Sequence, residues 1–128
     1  MIQVELVLDG AGLLGSCRVS GHAGAGKRGS DIVCAAVSVL TRTIVQVLSG
    51  RKGITVRGSI PERGNFSMEA EYTPEGREFL AGAGTFLIEG LFSVSAEFPE
   101  HCKVTIKSCS KMSDFGTATL DLGEKPVS

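Results

Sequence analysis

Neither charge predominates in this sequence: 13 Lys and Arg stand against 14 Asp and Glu, a net charge of -1 over 128 residues. Such a balance provides no broad attraction for phosphate backbones or anionic lipid, so neither nucleic acid nor a membrane surface is the expected partner. Long hydrophobic runs are missing too. No stretch approaches the roughly 18 uninterrupted apolar residues that a membrane span needs. The opening Met1-Ile2-Gln3-Val4-Glu5-Leu6-Val7-Leu8-Asp9 carries two acids and no basic start, unlike a secretory leader. A cytoplasmic location is the expectation. Cysteine is sparse, with Cys17, Cys34, Cys102 and Cys109 and no CxxC pair among them. In a reducing compartment these are thiols, and with only His101 beside Cys102 no metal centre and no cofactor are expected.

Tryptophan is absent and aromatics reach only 5%, whereas glycine, at 17 residues, exceeds its average share of about 7%. Hydrophobic residues at 42% and charged ones at 21% fit a globular chain. The length suits one domain, expected over residues 1–110, with a polar tail over 111–128.

Ile2, Val4, Leu6 and Leu8 alternate with polar neighbours, the period-two mark of a half-buried strand, and Gly10-Ala11-Gly12 turns the chain into a second strand over residues 14–21. Ser30-Asp31 signals a helix entry, followed by an apolar stripe of Val33, Val37, Leu40, Ile44 and Val47 that Gly50 stops. Two further strands are expected around Ile54, Val56 and Ile60 and around Phe66, Met68, Ala70 and Tyr72, joined by a hairpin at residues 61–65. Thr73-Pro74 opens a second helix, Pro99 closes it, and Val104 and Ile106 mark a last strand. The order β-β-α-β-β-α-β, with strands polar on one face, predicts a two-layer α+β domain. Its sheet of about five strands is antiparallel or mixed, with both helices on one face. Gly82, Gly84 and Gly90 in the second helix imply close packing, against either another element or a second copy of the chain.

The segment Gly21-His22-Ala23-Gly24-Ala25-Gly26-Lys27-Arg28-Gly29-Ser30-Asp31-Ile32-Val33-Cys34 admits three readings. One is phosphate binding, as in a non-enzymatic ribosome- or nucleotide-binding module using the glycine-rich loop 21–29. Gly21 with Gly26-Lys27 nearly completes a Walker pattern, and Gly24, Gly26 and Gly29 satisfy GxGxxG. Yet Arg28 stands where a magnesium-binding hydroxyl belongs, and Ser49-Gly50-Arg51-Lys52 stands where a dinucleotide site expects an acid.

The second reading is nucleophilic catalysis. With the helix starting at Ser30 or Asp31, Cys34 falls in its first turn, where unpaired N–H groups and the helix dipole favour a thiolate. Cys34, Ser38 and Thr41 share a flank beside the apolar stripe, and that flank can face a cleft. His22 stands a loop's length away, within range to act as base and then acid. Asp31 is a candidate to orient His22, or a first-turn acid or helix cap. Ser38 either lines the cleft or packs, and glycines 21, 24, 26 and 29 permit the loop to close or serve turn geometry alone. The third reading is structural, with Cys34 a small residue at a tight helix–sheet contact and His22 a turn residue.

The string Gly21-His22-Ala23-Gly24, then Gly29 and Asp31-Ile32-Val33-Cys34-Ala35-Ala36-Val37-Ser38, resembles the signature of the ribosomal-processing cysteine protease family called Prp, and the element order is similar over residues 1–110. The resemblance implies a His22–Cys34 dyad in a small homodimer. It further implies an enzyme that removes the N-terminal extension of a precursor ribosomal protein, large-subunit protein twenty-seven, with a His-bearing loop that settles over the bound peptide.

Overall fold

The computed structural model describes residues 1–21, 28–62 and 65–108, and of 28–31 and 60–62 it describes the backbone. The expected order appears as β1 (Ile2–Leu8), β2 (Leu14–Ser20), α1 (Arg28–Leu48), β3 (Ile54–Glu62), β4 (Asn65–Tyr72), α2 (Arg77–Glu97) and β5 (Cys102–Ser108). The strands form one sheet in the order β3-β4-β2-β1-β5. It is mixed: β1 and β5 run parallel, with Ile2 opposite Cys102, and the remaining pairs are antiparallel.

Strict alternation places Ile2, Val4, Leu6, Cys17, Val19, Phe66, Met68, Ala70, Cys102, Val104 and Ile106 on one face, all buried. Both helices lie on that face and against each other. The opposite face carries the polar partners, among them a Lys107–Glu5 ion pair at 2.6 Å. At the far end of the sheet Asp9 ties the β1–β2 turn together: its Oδ1 accepts the N–H groups of Ala11 and Leu13, and its Oδ2 accepts the Tyr72 hydroxyl at 2.7 Å.

The helices depart from expectation in detail. The buried stripe of α1 is Val33, Val37, Thr41, Ile44 and Leu48, while Val47 is 41% exposed and Leu40 is half-buried. The reason is α2: a Cβ on Gly90 would lie 3.0 Å from Leu40 Cδ2, so Leu40 is turned toward the neighbouring helix and not toward the sheet. Gly84 similarly faces Leu14, at 3.1 Å from its Cβ, so these two glycines serve contacts within the chain; Gly82 meets nothing within 4 Å. The second helical segment opens with a 3-10 turn, Pro74–Gly76, and the Thr73 side chain makes no capping bond. Gly76 crosses Gly53 there, with no room for a side chain on either. Strand β3 also continues through Pro61 and Glu62, so the hairpin is shorter than expected.

The α2 segment is long and apolar enough, by length and composition, to cross a membrane. Its Leu80, Leu87 and Leu91 are sealed in the core, while Phe86 is 70% exposed.

Candidate active site

The strand that carries the loop ends at Ser20. Gly21 follows with φ +97, in the left-handed region, and a Cβ there would overlap the carbonyl oxygen of Met1. Glycine is required on both counts, since L side chains rarely adopt that backbone and the space is already filled. His22, Gly24 and Gly26 lie outside the described residues, as do Cys109 and the 111–128 tail. Gly29 and Asp31 belong to the first turn of α1, inside the helix, so Asp31 is not its cap.

Cys34 is also displaced from its expected place. Because α1 begins at Arg28, Cys34 is the seventh residue of the helix and lies beyond its first turn. Unpaired N–H groups are confined to the first four residues, so the amide of Cys34 belongs to the helix ladder. The dipole argument for this thiol therefore falls away, and its own amide is no free donor to an oxyanion.

The helix presents Cys34, Ser38 and Thr41 within about 60° of one another. This flank borders a cleft of about 40 Å³ closed from the sheet side by Ile2, Val19 and Phe66, with Gly21 and Asn65 at the strand ends. Exposure falls along the flank, from half-buried Cys34 and Ser38 to Thr41 at 1%. The Thr41 hydroxyl donates to the carbonyl of Val37 at 2.9 Å and to that of Ser38 at 3.2 Å. Thr41 lies on the expected flank, but its position as the inner end of the cleft depends on the sheet above it and was not readable from helical spacing.

The three described thiols are free and differ sharply in surroundings. Cys17 and Cys102 are each 1% exposed, and burial pushes their pKa values up to about 12 and about 11. Thiols so sealed stay protonated and unreactive. Cys34 alone among them borders a cleft. His101, the other histidine, serves the turn before β5, where its carbonyl accepts the Ile2 N–H at 2.9 Å.

The topology removes the dinucleotide reading. The strands flanking the glycine-rich loop and α1, β2 and β3, are not neighbours, because β4 lies between them and pairs antiparallel with both. A dinucleotide fold needs adjacent parallel strands at this point.

The model of the family described as cysteine protease Prp matches residues 1–103. No curated protein matches the chain by sequence. Among solved structures, SMU.848 from Streptococcus mutans shares 28% identity and a TM-score of 0.68, over 84% of this chain and 95% of that one. The ribosomal processing protease Prp from S. aureus, solved in complex with a substrate peptide, shares 20% identity and a TM-score of 0.71, over 84% and 100%. The same S. aureus protein with a covalently linked product peptide gives 21% identity and a TM-score of 0.70 over the same shares.

Proposed function

The chain belongs to the cysteine protease Prp family, and on that premise we propose that Cys34 is its nucleophile and His22 the acid–base partner. The supporting observation is that Cys34 borders a cleft while Cys17 and Cys102 are sealed in the core. In the proposed cycle His22 takes the thiol proton and the sulfur attacks the carbonyl carbon of a peptide bond. The tetrahedral oxyanion collapses with cleavage of the C–N bond, and His22 returns the proton to the leaving amine. Water, deprotonated by His22, then hydrolyses the thioester and restores the thiol.

The substrate we infer is large-subunit ribosomal protein twenty-seven with an N-terminal extension. The sequence signature around His22 and Cys34 supports this, as does the shared fold with a ribosomal processing protease. Incubating the protein with extended ribosomal protein twenty-seven, followed by mass measurement, tests it. Wild type trims the extension; Cys34→Ala and His22→Ala do not, and both remain folded. Full cleavage by either variant sinks the assignment.

Two copies of the chain are proposed to pair through the outer faces of α1 and α2. There Leu40, Val47, Ala83 and Phe86 line an apolar groove, and Phe86 is 70% exposed. An apolar groove between two helices is the kind of surface that a second copy can cover.

A further inference from the structure

We propose that the uncovered polar face of the sheet is an extension of the substrate site, on which Arg18 holds the carboxylate of an acidic residue in the peptide being cut, several residues from the scissile bond. The inference deepens the proposed function and rests on Cys34 being the nucleophile.

Strand parity separates the two faces of the sheet. Val19 and Phe66 lie on the helix face and help close the Cys34 cleft, while Arg18, Ser20, Asn65 and Ser67 alternate with them and are exposed. Register assembles the exposed set across three strands: Arg18 of β2 lies opposite Ser67 of β4, and Ser67 lies opposite Ser59 of β3. With Ser20 and Asn65 they line an open depression of about 350 Å³. It shares Val19, Asn65 and Phe66 with the Cys34 cleft, so a peptide leaving that cleft over the ends of β2 and β4 runs directly onto it.

The lining decides what is bound. It offers one guanidinium, three hydroxyls and one carboxamide, and no carboxylate. Among the described residues Arg18 makes no ion pair. The nearby acids are engaged or farther off: Glu5, opposite Arg18 on β1, binds Lys107 at 2.6 Å, Glu71 binds Arg57 at 3.2 Å, and Glu69 lies opposite Ser16 and Arg57, farther from the cleft. A guanidinium takes a carboxylate through two parallel N–H bonds, and neighbouring hydroxyls donate to the remaining lone pairs. An ammonium there would face the charge of Arg18, and an alkyl group would cover donors without satisfying them.

Chain geometry sets the spacing. Arg18 precedes Gly21 by three residues, which in a strand is about 10 Å. Passing the strand ends from the helix side adds a comparable length. An extended peptide advances about 3.3 Å per residue, so the acid falls about four to seven residues from the scissile bond.

The test uses peptides spanning the extension and the first residues of mature ribosomal protein twenty-seven, with Asp or Asn placed singly at each of those positions on either side of the scissile bond, at low salt. On one side, Asp lowers KM about fivefold relative to Asn at unchanged kcat, because the contact is the same in the ground and transition states. The preference fades at about 0.5 M salt. Arg18→Gln removes it, and Arg18→Glu reverses it, so that Lys is preferred over Asn at the same position. Lys52→Gln, outside the depression, keeps it. Equal KM for Asp and Asn at every position, or a preference that survives Arg18→Gln, overturns the inference and leaves the nucleophile standing, provided the protein unfolds cooperatively and cleavage depends on Cys34. Inhibition by a short single-stranded RNA that is lost in Arg18→Glu, with no gain from Asp, gives the face to phosphate and overturns it equally. Cleavage by Cys34→Ala overturns the reading beneath it.

Discussion

The carbonyl oxygen of Met1 occupies the space that a side chain on Gly21 would need. The start of β1 and the end of β2 are locked together there, immediately before His22 in the chain. Gly21→Ala therefore meets both a backbone clash and an unfavourable φ, and should cost about 2 kcal/mol or more. Urea denaturation reads the stability loss. Cleavage measured on the fraction still folded should fall further, because the direction of the chain into residue 22 changes.

Alkylation separates the thiols. A rise from 9.0 to about 12 leaves Cys17 with about a thousandfold less thiolate than an ordinary cysteine. Iodoacetamide at pH 7.5 should modify Cys34 in the native protein while Cys17 and Cys102 stay unmodified until denaturant is added. Peptide mapping by mass spectrometry resolves the sites, and equal rates at Cys17 and Cys34 would count against the active-site assignment.

Tyr72 carries a pH dependence. Its hydrogen bond to Asp9 raises its pKa above the ordinary 10.0, with desolvation and the charge of Asp9 adding to the effect and Arg77 opposing it. The bond needs the protonated phenol, so its stabilisation is complete below the unfolded value and is lost as pH rises through the higher folded one. Tyr72→Phe should unfold at a lower temperature than wild type at pH 8, and the gap should close above pH 10. A constant gap across that range in thermal melts would contradict the assignment.

The apolar outer surface makes a prediction about mass in solution. Phe86→Glu places a charge at the most exposed large apolar side chain of the described residues. Light scattering should give twice 13.4 kDa for wild type and a single chain mass for the variant. A dimeric variant would move the interface elsewhere.

Local periodicity carried most of the fold. Alternation assigned every strand, because a side chain's face in a strand follows from its parity alone, and Thr73-Pro74 and Pro99 bracketed the second helical segment. Where two elements compete for a side chain, local pattern was insufficient. Val47 was expected in the core and is 41% exposed, with Leu48 buried instead, while Leu40 is turned toward Gly90 of α2. The onset of α1 was misplaced because Ser30-Asp31 offers a strong capping signal, while the helix extends back to Arg28. That shift removes the dipole argument for Cys34.

By itself the sequence determined which residues are able to do chemistry: a histidine and a cysteine in a glycine-punctuated signature, and strands whose alternation commits one face to a core. Only the tertiary structure decided which thiols are sealed and which meets a cleft, that β4 separates β2 from β3, and that Thr41 ends the cleft beside Cys34. The physical reason is that periodicity records one element's orientation, whereas burial and the dimensions of a cleft depend on what neighbouring elements place against it.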